Sequence, residues 1–319
     1  MVHLKNYATN IFHTKEASDM TLAQHIYSIR NMDRFFKNYH FSVPRLTKKM
    51  VRAFTAYRES ESLKTQHCRI CLIRQFAIFM NTLGYDAYVI PVEFMKIGKP
   101  FTPCILTHDE ISKIIKAYDN LKICNNSPLR HLIYPVLMRM LYGCGLRISE
   151  ALSLKISDVD LKDGILTITN SKFNKSRFVP MSASLTKICI SYAAKMNFVA
   201  KEDGYFFPSP DKGRYNRNVI YMKFKNTLKE VSIGRIGYAS GPRLHDLRHT
   251  FAVHSLEKMV AEGIDTYCSL PILCAYLGHR GIESTEKYLR LTKQSFSSVT
   301  NPLETLYKGV FPEVNTNEK

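Results

Sequence analysis

The chain has 319 residues, with 45 Lys and Arg against 27 Asp and Glu, a net charge of +18. Its hydrophobic content of 45% suffices for a core and excludes a disordered, tail-like chain, and the length fits one large domain or two medium ones. No apolar run reaches the ~18 residues of a membrane span, and Met1-Val2-His3-Leu4-Lys5-Asn6 lacks an apolar signal region, so the chain reads as cytoplasmic with no membrane partner.

The excess charge lies in both parts of the chain. Residues 1–100 carry 15 basic and 7 acidic side chains, and residues 101–319 carry 30 and 20. A basic body, as opposed to a basic tail, points to a polyanion, most often nucleic acid. The eight cysteines are scattered, which reads as reduced thiols. Cys68-x-x-Cys71 has no second pair at a matching distance for structural zinc.

Taken in chain order, Leu22, Ile26, Ile29, Met32 and Phe36 recur at helical steps, with Thr21 as candidate cap. Thr47 opens a second helix, with Val51 and Phe54 inward and Lys48, Lys49, Arg52 and Arg58 mostly outward. Thr65 is the candidate cap of a third, with Ile70, Ile73, Phe76, Met80 and Leu83 inward and Gly84 at its end. The Pro- and Gly-containing stretch Pro91–Pro103 reads as a linker. The expected division is residues 1–95, a linker over 96–105, a second domain over 106–295 and a tail over 296–319.

Thr107-His108-Asp109-Glu110 has the capping-box pattern and opens the second domain. Helical patterns follow at about 130–142, 148–154, 183–198, 216–231, 245–260, 269–276 and 283–291. One β interruption divides them. Gly164-Ile-Leu-Thr-Ile-Thr and Arg177-Phe-Val-Pro flank a basic tip over residues 170–176, a predicted hairpin. The fold class is mainly α with a small β element.

Four segments bear on chemistry. Gly143-Cys-Gly145-Leu-Arg147-Ile-Ser-Glu150 places a Glu one helical turn after an Arg, and alone it also reads as a helix end followed by a salt-bridged helix. The hairpin tip carries Lys172, Lys175 and Arg177. Leu244-His245-Asp246-Leu247-Arg248-His249 puts His245 and Arg248 on one helix face. His245 and His249 have the spacing of a zinc-hydrolase motif, but Asp246 stands where the Glu base belongs and Arg248 would set a cation beside the metal. Leu277-Gly278-His279 is followed, nine residues on, by Tyr288. Together these supply what phosphoryl transfer to a tyrosine requires: guanidiniums for the non-bridging oxygens, a proton donor for the leaving oxygen and an acid/base group for the phenol. No carboxylate pair suited to two metal ions stands out. The reading therefore invokes no metal and no cofactor.

In order and spacing these motifs resemble the tyrosine recombinases of the phage-integrase family. The resemblance covers nearly the whole chain, and Phe207-Pro208-Ser209 resembles a short segment the family carries. It implies an N-terminal helical, SAM-like core-binding domain and a mostly α catalytic domain of the DNA breaking–rejoining fold. It implies that Arg147 and Arg248 bind the scissile phosphate, Lys172 protonates the leaving 5′-oxygen, His245 acts as acid/base on the tyrosine, His279 bonds the phosphate and Tyr288 attacks. Glu150 would stand behind Arg147, and His249 would lie behind the reacting groups. The tip reads Ser171-Lys172-Phe173 where the family has G-K-G, which leaves Lys175 as a second candidate acid. Duplex DNA contacts would come from Lys48, Lys49, Arg52, Arg69, Arg74, Lys175, Arg177 and Arg243.

The implied partners are a double-stranded recombination site and, on synapsed DNA, a homotetramer formed from monomers. The implied reaction passes through a 3′-phosphotyrosyl link and a Holliday junction. Biological readings are integration, excision or transposition of a mobile element, or Xer-type dimer resolution. A type IB topoisomerase would share the chemistry but rejoin the original strand. A DNA-binding protein without catalysis would have no reason to keep Tyr288 with both arginines. The apolar residues Leu303, Leu306, Tyr307, Val310 and Phe311 in the tail would dock on a neighbouring subunit or on their own domain.

Overall fold

The structure is a computed structural model, and it describes residues 19–37, 39, 45–92, 102–169, 176–198, 203–234, 241–279 and 281–289. The hairpin tip with Lys172 and Lys175, most of the expected linker and the tail all lie outside the described residues. The described chain divides between Thr102 and Pro103.

Three helices make the first unit: α1 (Asp19–Phe36), α2 (Lys48–Thr55) and α3 (Leu63–Thr82). Thr47 caps α2, its hydroxyl accepting the Met50 N–H. The cap of α3 is Ser62 instead of Thr65: the Ser62 hydroxyl accepts the Thr65 N–H at 3.1 Å and pairs with the Thr65 hydroxyl at 2.9 Å. Two hydroxyl residues three apart are both able to cap, and starting at the earlier one lengthens the helix by nearly a turn of backbone hydrogen bonds. Ile29, Met32, Met50, Val51, Phe54, Ile73, Phe76 and Met80 form the core, whereas Leu83 is exposed because α3 ends at Thr82.

The second unit is built on α4 (His108–Asp119), α5 (Arg130–Gly143), α6 (Ile148–Ala151), a three-stranded sheet, α7 (Ala183–Lys195), α8 (Arg217–Glu230), α9 (Asp246–Ala261), α10 (Thr266–Leu277) and α11 (Glu283–Glu286). The Thr107–Glu110 capping box opens α4. Helix α5 is buried around most of its circumference, from Ile133 to Leu141, and is the central rod against which α4, α7 and α9 pack. The sheet, β1 (Val159–Asp160), β2 (Ile165–Ile168) and β3 (Arg177–Pro180), is antiparallel in the order β1-β2-β3. Strands β2 and β3 are the predicted hairpin, in the register Ile168↔Arg177. The two-residue β1 is too short to show a period in sequence. No helix among the described residues is long and apolar enough to cross a membrane.

Element ends differ from the sequence pattern where turns took over. Helix α6 stops at Ala151, and α10 begins at Thr266 because the Asp265 carboxylate accepts the Tyr267 N–H. Within the pattern at 283–291, α-helix covers Glu283–Glu286 and Tyr288 stands in the turn that follows.

The α5–α6 connection sets the direction in which Arg147 leaves the core. Gly145 has φ +58°, and a Cβ there would overlap the Phe251 ring and meet Leu277 at 3.0 Å. A side chain would suffer both the left-handed backbone and the clash, together about 2 kcal/mol or more. The Gly145→Ala protein is expected to melt about 5 °C or more below the parent, a drop that differential scanning calorimetry would register.

Candidate active site

Five segments converge on one pocket of the second unit. Arg147 leads into α6, and the Glu150 carboxylate accepts both its backbone N–H at 2.9 Å and its Nη1 at 2.6 Å. A single carboxylate thus starts the helix and orients the guanidinium. Glu150 also receives Arg177 from β3 in a fork, Nη1 to Oε1 at 3.1 Å and Nη2 to Oε2 at 2.9 Å, while Arg177 Nε donates to the Tyr276 carbonyl. Burial by itself would raise the Glu150 carboxyl. The hydrogen bond and charge of Arg177, then the charge and N–H of Arg147, outweigh burial and bring it down to about 2.

Arg248 on α9 is the largest fully buried side chain. Its Nη1 donates to the Gly145 carbonyl at 2.8 Å and its Nη2 to the Leu277 carbonyl at 2.6 Å, so it ties the turn after α5 to the end of α10. Burial lowers its pKa to about 10, with Arg147 adding to the effect, and it stays cationic at neutral pH. The start of α9 is itself held: buried Asp246 accepts the Arg243 N–H at 2.9 Å, and Thr250 bridges the Asp246 carbonyl and the Leu106 N–H. His245 and Arg248 therefore have fixed backbones.

Helix α10 ends on Gly278 at φ +67°, the left-handed conformation of a glycine cap, and the next N–H, of His279, reaches back to the Cys274 carbonyl. His279 Nδ1 pairs with the Thr285 hydroxyl at 2.9 Å, and its ring stacks on Tyr288 with centroids 6.2 Å apart. Tyr288 is 4% exposed. Its hydroxyl lies 3.1 Å from His249 Nδ1. His245 is one ring further away, edge-on to His249 with centroids 4.8 Å apart. Burial raises the Tyr288 pKa, and the charges of Arg248 and Arg147 oppose that rise.

The structure brings Arg147, Glu150, His245, Arg248, His249, His279 and Tyr288 together. It corrects three readings. His249, expected behind the reacting groups, touches the Tyr288 hydroxyl, the position expected of His245. Arg177, expected on DNA, is consumed by Glu150 and the Tyr276 carbonyl. Arg69, also expected on DNA, donates to the carbonyls of Phe54 and Ala56 and pairs with Glu61. A helix-face count cannot reveal such inward turns, because an arginine's long stem reaches partners on other elements. Arg177 carried one usable signal, its place at the base of a predicted strand and not in the tip of the predicted hairpin. Of the other expected DNA contacts, Lys48, Lys49 and Arg52 are exposed on α2, Arg74 donates to the Ile90 carbonyl at 2.9 Å, and Arg243 pairs with Asp246. Among the described residues no three or more His, Cys, Asp or Glu side chains gather for a metal ion, so His245 and His249 find no further ligands there.

Burial, the first cause in each case, lowers the pKa of His245, His249 and His279 to about 4, and neighbouring arginines contribute. His254, stacked on His108 and bonded to the Tyr142 hydroxyl, behaves alike. An unfolded histidine titrates near 6.5. Between pH 6.5 and 4 the unfolded chain therefore holds protons that the folded chain lacks. The stability from neutral histidines is complete above pH 6.5 and lost as pH falls towards 4. Glu150, depressed instead, adds stability that is present above its ordinary value and lost as pH falls to about 2. The melting temperature is expected to fall continuously below pH 6.5, with net proton uptake on unfolding at pH 5. A flat profile from pH 7 to 4 would contradict the burial of these rings.

The phage integrase family model matches residues 105–295. An integrase/recombinase of Sinorhizobium fredii is 29% identical over 241 residues, covering 74% of this chain and 77% of that protein. The tyrosine recombinase XerA of Pyrococcus horikoshii is 29% identical over 221 residues, covering 69% and 68%. Among solved structures, the XerH site-specific recombinase in a post-cleavage complex with its difH substrate aligns with a TM-score of 0.67 at 18% identity over 89% of this chain and 80% of that one. The Tn1549 transposon integrase in complex with transposon right end DNA aligns at 0.66 and 15% identity over 95% and 99%. These two share the fold. The chain belongs to the phage integrase family and is a tyrosine recombinase, an enzyme of site-specific DNA recombination.

Proposed function

We propose that this recombinase cleaves duplex DNA by attack of Tyr288 on a phosphodiester, forming a 3′-phosphotyrosyl link and releasing a 5′-hydroxyl. The observation that carries the reading is the meeting of Tyr288 with Arg147, Arg248 and three neutral histidines in one pocket. Arg147 and Arg248 grip the non-bridging oxygens and stabilise the charge that grows on the pentacoordinate phosphorus. His245 and His279 bond the phosphate as neutral donors. Lys172, from the hairpin tip, protonates the leaving oxygen. The phosphotyrosyl ester conserves the energy of the phosphodiester, so the 5′-hydroxyl of a partner duplex reverses the step and exchanges strands without ATP. Two such exchanges in a homotetramer, by way of a Holliday junction, complete recombination.

Lys48, Lys49 and Arg52 on the exposed face of α2 would meet the phosphates of the duplex. The similarity to a Sinorhizobium integrase/recombinase supports integration or excision of a mobile element, and the similarity to the tyrosine recombinase XerA keeps dimer resolution as the second reading. The test is a nicked suicide duplex carrying the DNA that flanks the gene. A covalent protein–DNA adduct, resistant to denaturant, is the expected product, and its absence with every flanking sequence overturns the reading.

A further inference from the structure

We propose that His249 is a catalytic residue, the base that takes the phenolic proton when Tyr288 attacks. This rests on the reading of Tyr288 as nucleophile. The geometry carries it: His249 Nδ1 is the hydrogen-bond partner of the Tyr288 hydroxyl, at 3.1 Å, with the two rings 5.7 Å apart and tilted by 54°. The other two histidines of the pocket are placed for different work. His279 Nδ1 is taken by the Thr285 hydroxyl, and its ring stacks on the Tyr288 ring, the two planes 27° apart. His245 stands edge-on to the His249 ring, with centroids 4.8 Å apart.

The phenol needs such a partner. Burial holds its proton on more firmly than in water, and Arg248 and Arg147 only partly reverse this. A neutral imidazole with a free lone pair is the right acceptor, and burial keeps His249 neutral at pH 7. The groups around His249 suit a transient cation. Asp246 on the preceding turn of α9 favours the charged ring. Arg243, Arg248 and Lys287 oppose it, as do His245 and His279 whenever they are protonated. The imidazolium is therefore short-lived and returns its proton readily.

The step balances. The Tyr288 O–H bond breaks and its proton passes to Nδ1. The phenolic oxygen forms the bond to phosphorus, and the bond to the 5′-oxygen breaks with its electron pair leaving on that oxygen. The general acid assigned above to Lys172 supplies the proton there. Rejoining runs the same steps backward, with the imidazolium protonating the departing phenolate.

The test uses the full chain and the nicked suicide duplex under single-turnover conditions. Adduct rates are compared for the parent, His249→Ala, His249→Asn and His245→Ala, each with tyrosine or 3-fluorotyrosine at position 288. Fluorination makes the phenol more acidic and so less dependent on a base. Loss of the base is expected to slow adduct formation about 10²-fold or more, and fluorination to restore about tenfold in both His249 variants while hardly changing the parent. An adduct rate within about threefold of the parent in His249→Ala overturns the inference. So does a loss in His249→Ala or His249→Asn that fluorination leaves unmoved, which marks a structural role, or rescue confined to His245→Ala. Absence of adduct in the parent overturns instead the nucleophile itself, and this inference with it.

Discussion

Tyr288→Phe is expected to abolish the covalent adduct, a loss of at least about 10³-fold, while leaving DNA affinity and the fold nearly intact. The substitution removes one oxygen. The ring keeps its stacking on His279 and its place among Ala252, Val253, Leu256 and Leu277. What disappears is the atom that would bond to phosphorus, and the Thr285 hydroxyl is no substitute, being fully buried and paired with His279. The cost to stability is one hydrogen bond with His249, about 1 kcal/mol. A denaturing gel of the suicide-duplex reaction and a melting curve read the two effects separately. An adduct of parental yield from Tyr288→Phe would remove Tyr288 from the mechanism.

Arg147→Ala is expected to slow cleavage by about 10²-fold or more, with little change in DNA affinity. Arg147 suits this experiment better than Arg248. Its side chain is 22% exposed and its one acidic partner is Glu150, whereas Arg248 is 2% exposed and holds two backbone carbonyls on different elements. Removing Arg248 would orphan those carbonyls and confound chemistry with folding. Removing Arg147 leaves Glu150 forked to Arg177, so the carboxylate stays neutralised and α6 stays capped. One phosphate contact among many cationic ones contributes little to affinity on a chain of net charge +18. At the transition state it counts fully, because the added charge is localised there. Arg147→Lys is expected to recover little, since an ammonium cannot grip two oxygens in one plane. A large loss of binding with normal cleavage would mean that Arg147 only docks the duplex.

Much of the local structure follows from signals within a few residues. Thr47 and the Thr107–Glu110 box start their helices because a side-chain oxygen three positions before an orphan N–H needs no distant partner. The period-two pattern of Ile165–Ile168 and Arg177–Pro180 fixes a hairpin by the same logic, while the start of α3 shifted to Ser62 because two equivalent caps stood three residues apart.

The amino-acid sequence by itself determined the mostly helical class and the family, and singled out Arg147, Glu150, His245, Arg248, His249, His279 and Tyr288, because order and spacing of the motif residues are linear properties of the chain. Only the tertiary structure decided the partners inside the pocket. The His249–Tyr288 contact spans 39 residues, the Arg177–Glu150 fork 27, and the Arg248 bond to Gly145 spans 103. Each depends on how α9, α10 and β3 pack against the α5–α6 turn, and a slip of about one helical turn would be needed to bring His245 to the place of His249 beside the hydroxyl. That packing turned Arg177 inward, and packing within the first unit turned Arg69 inward, where carboxylates and carbonyls, invisible to a count of charges, outcompete water for their guanidiniums.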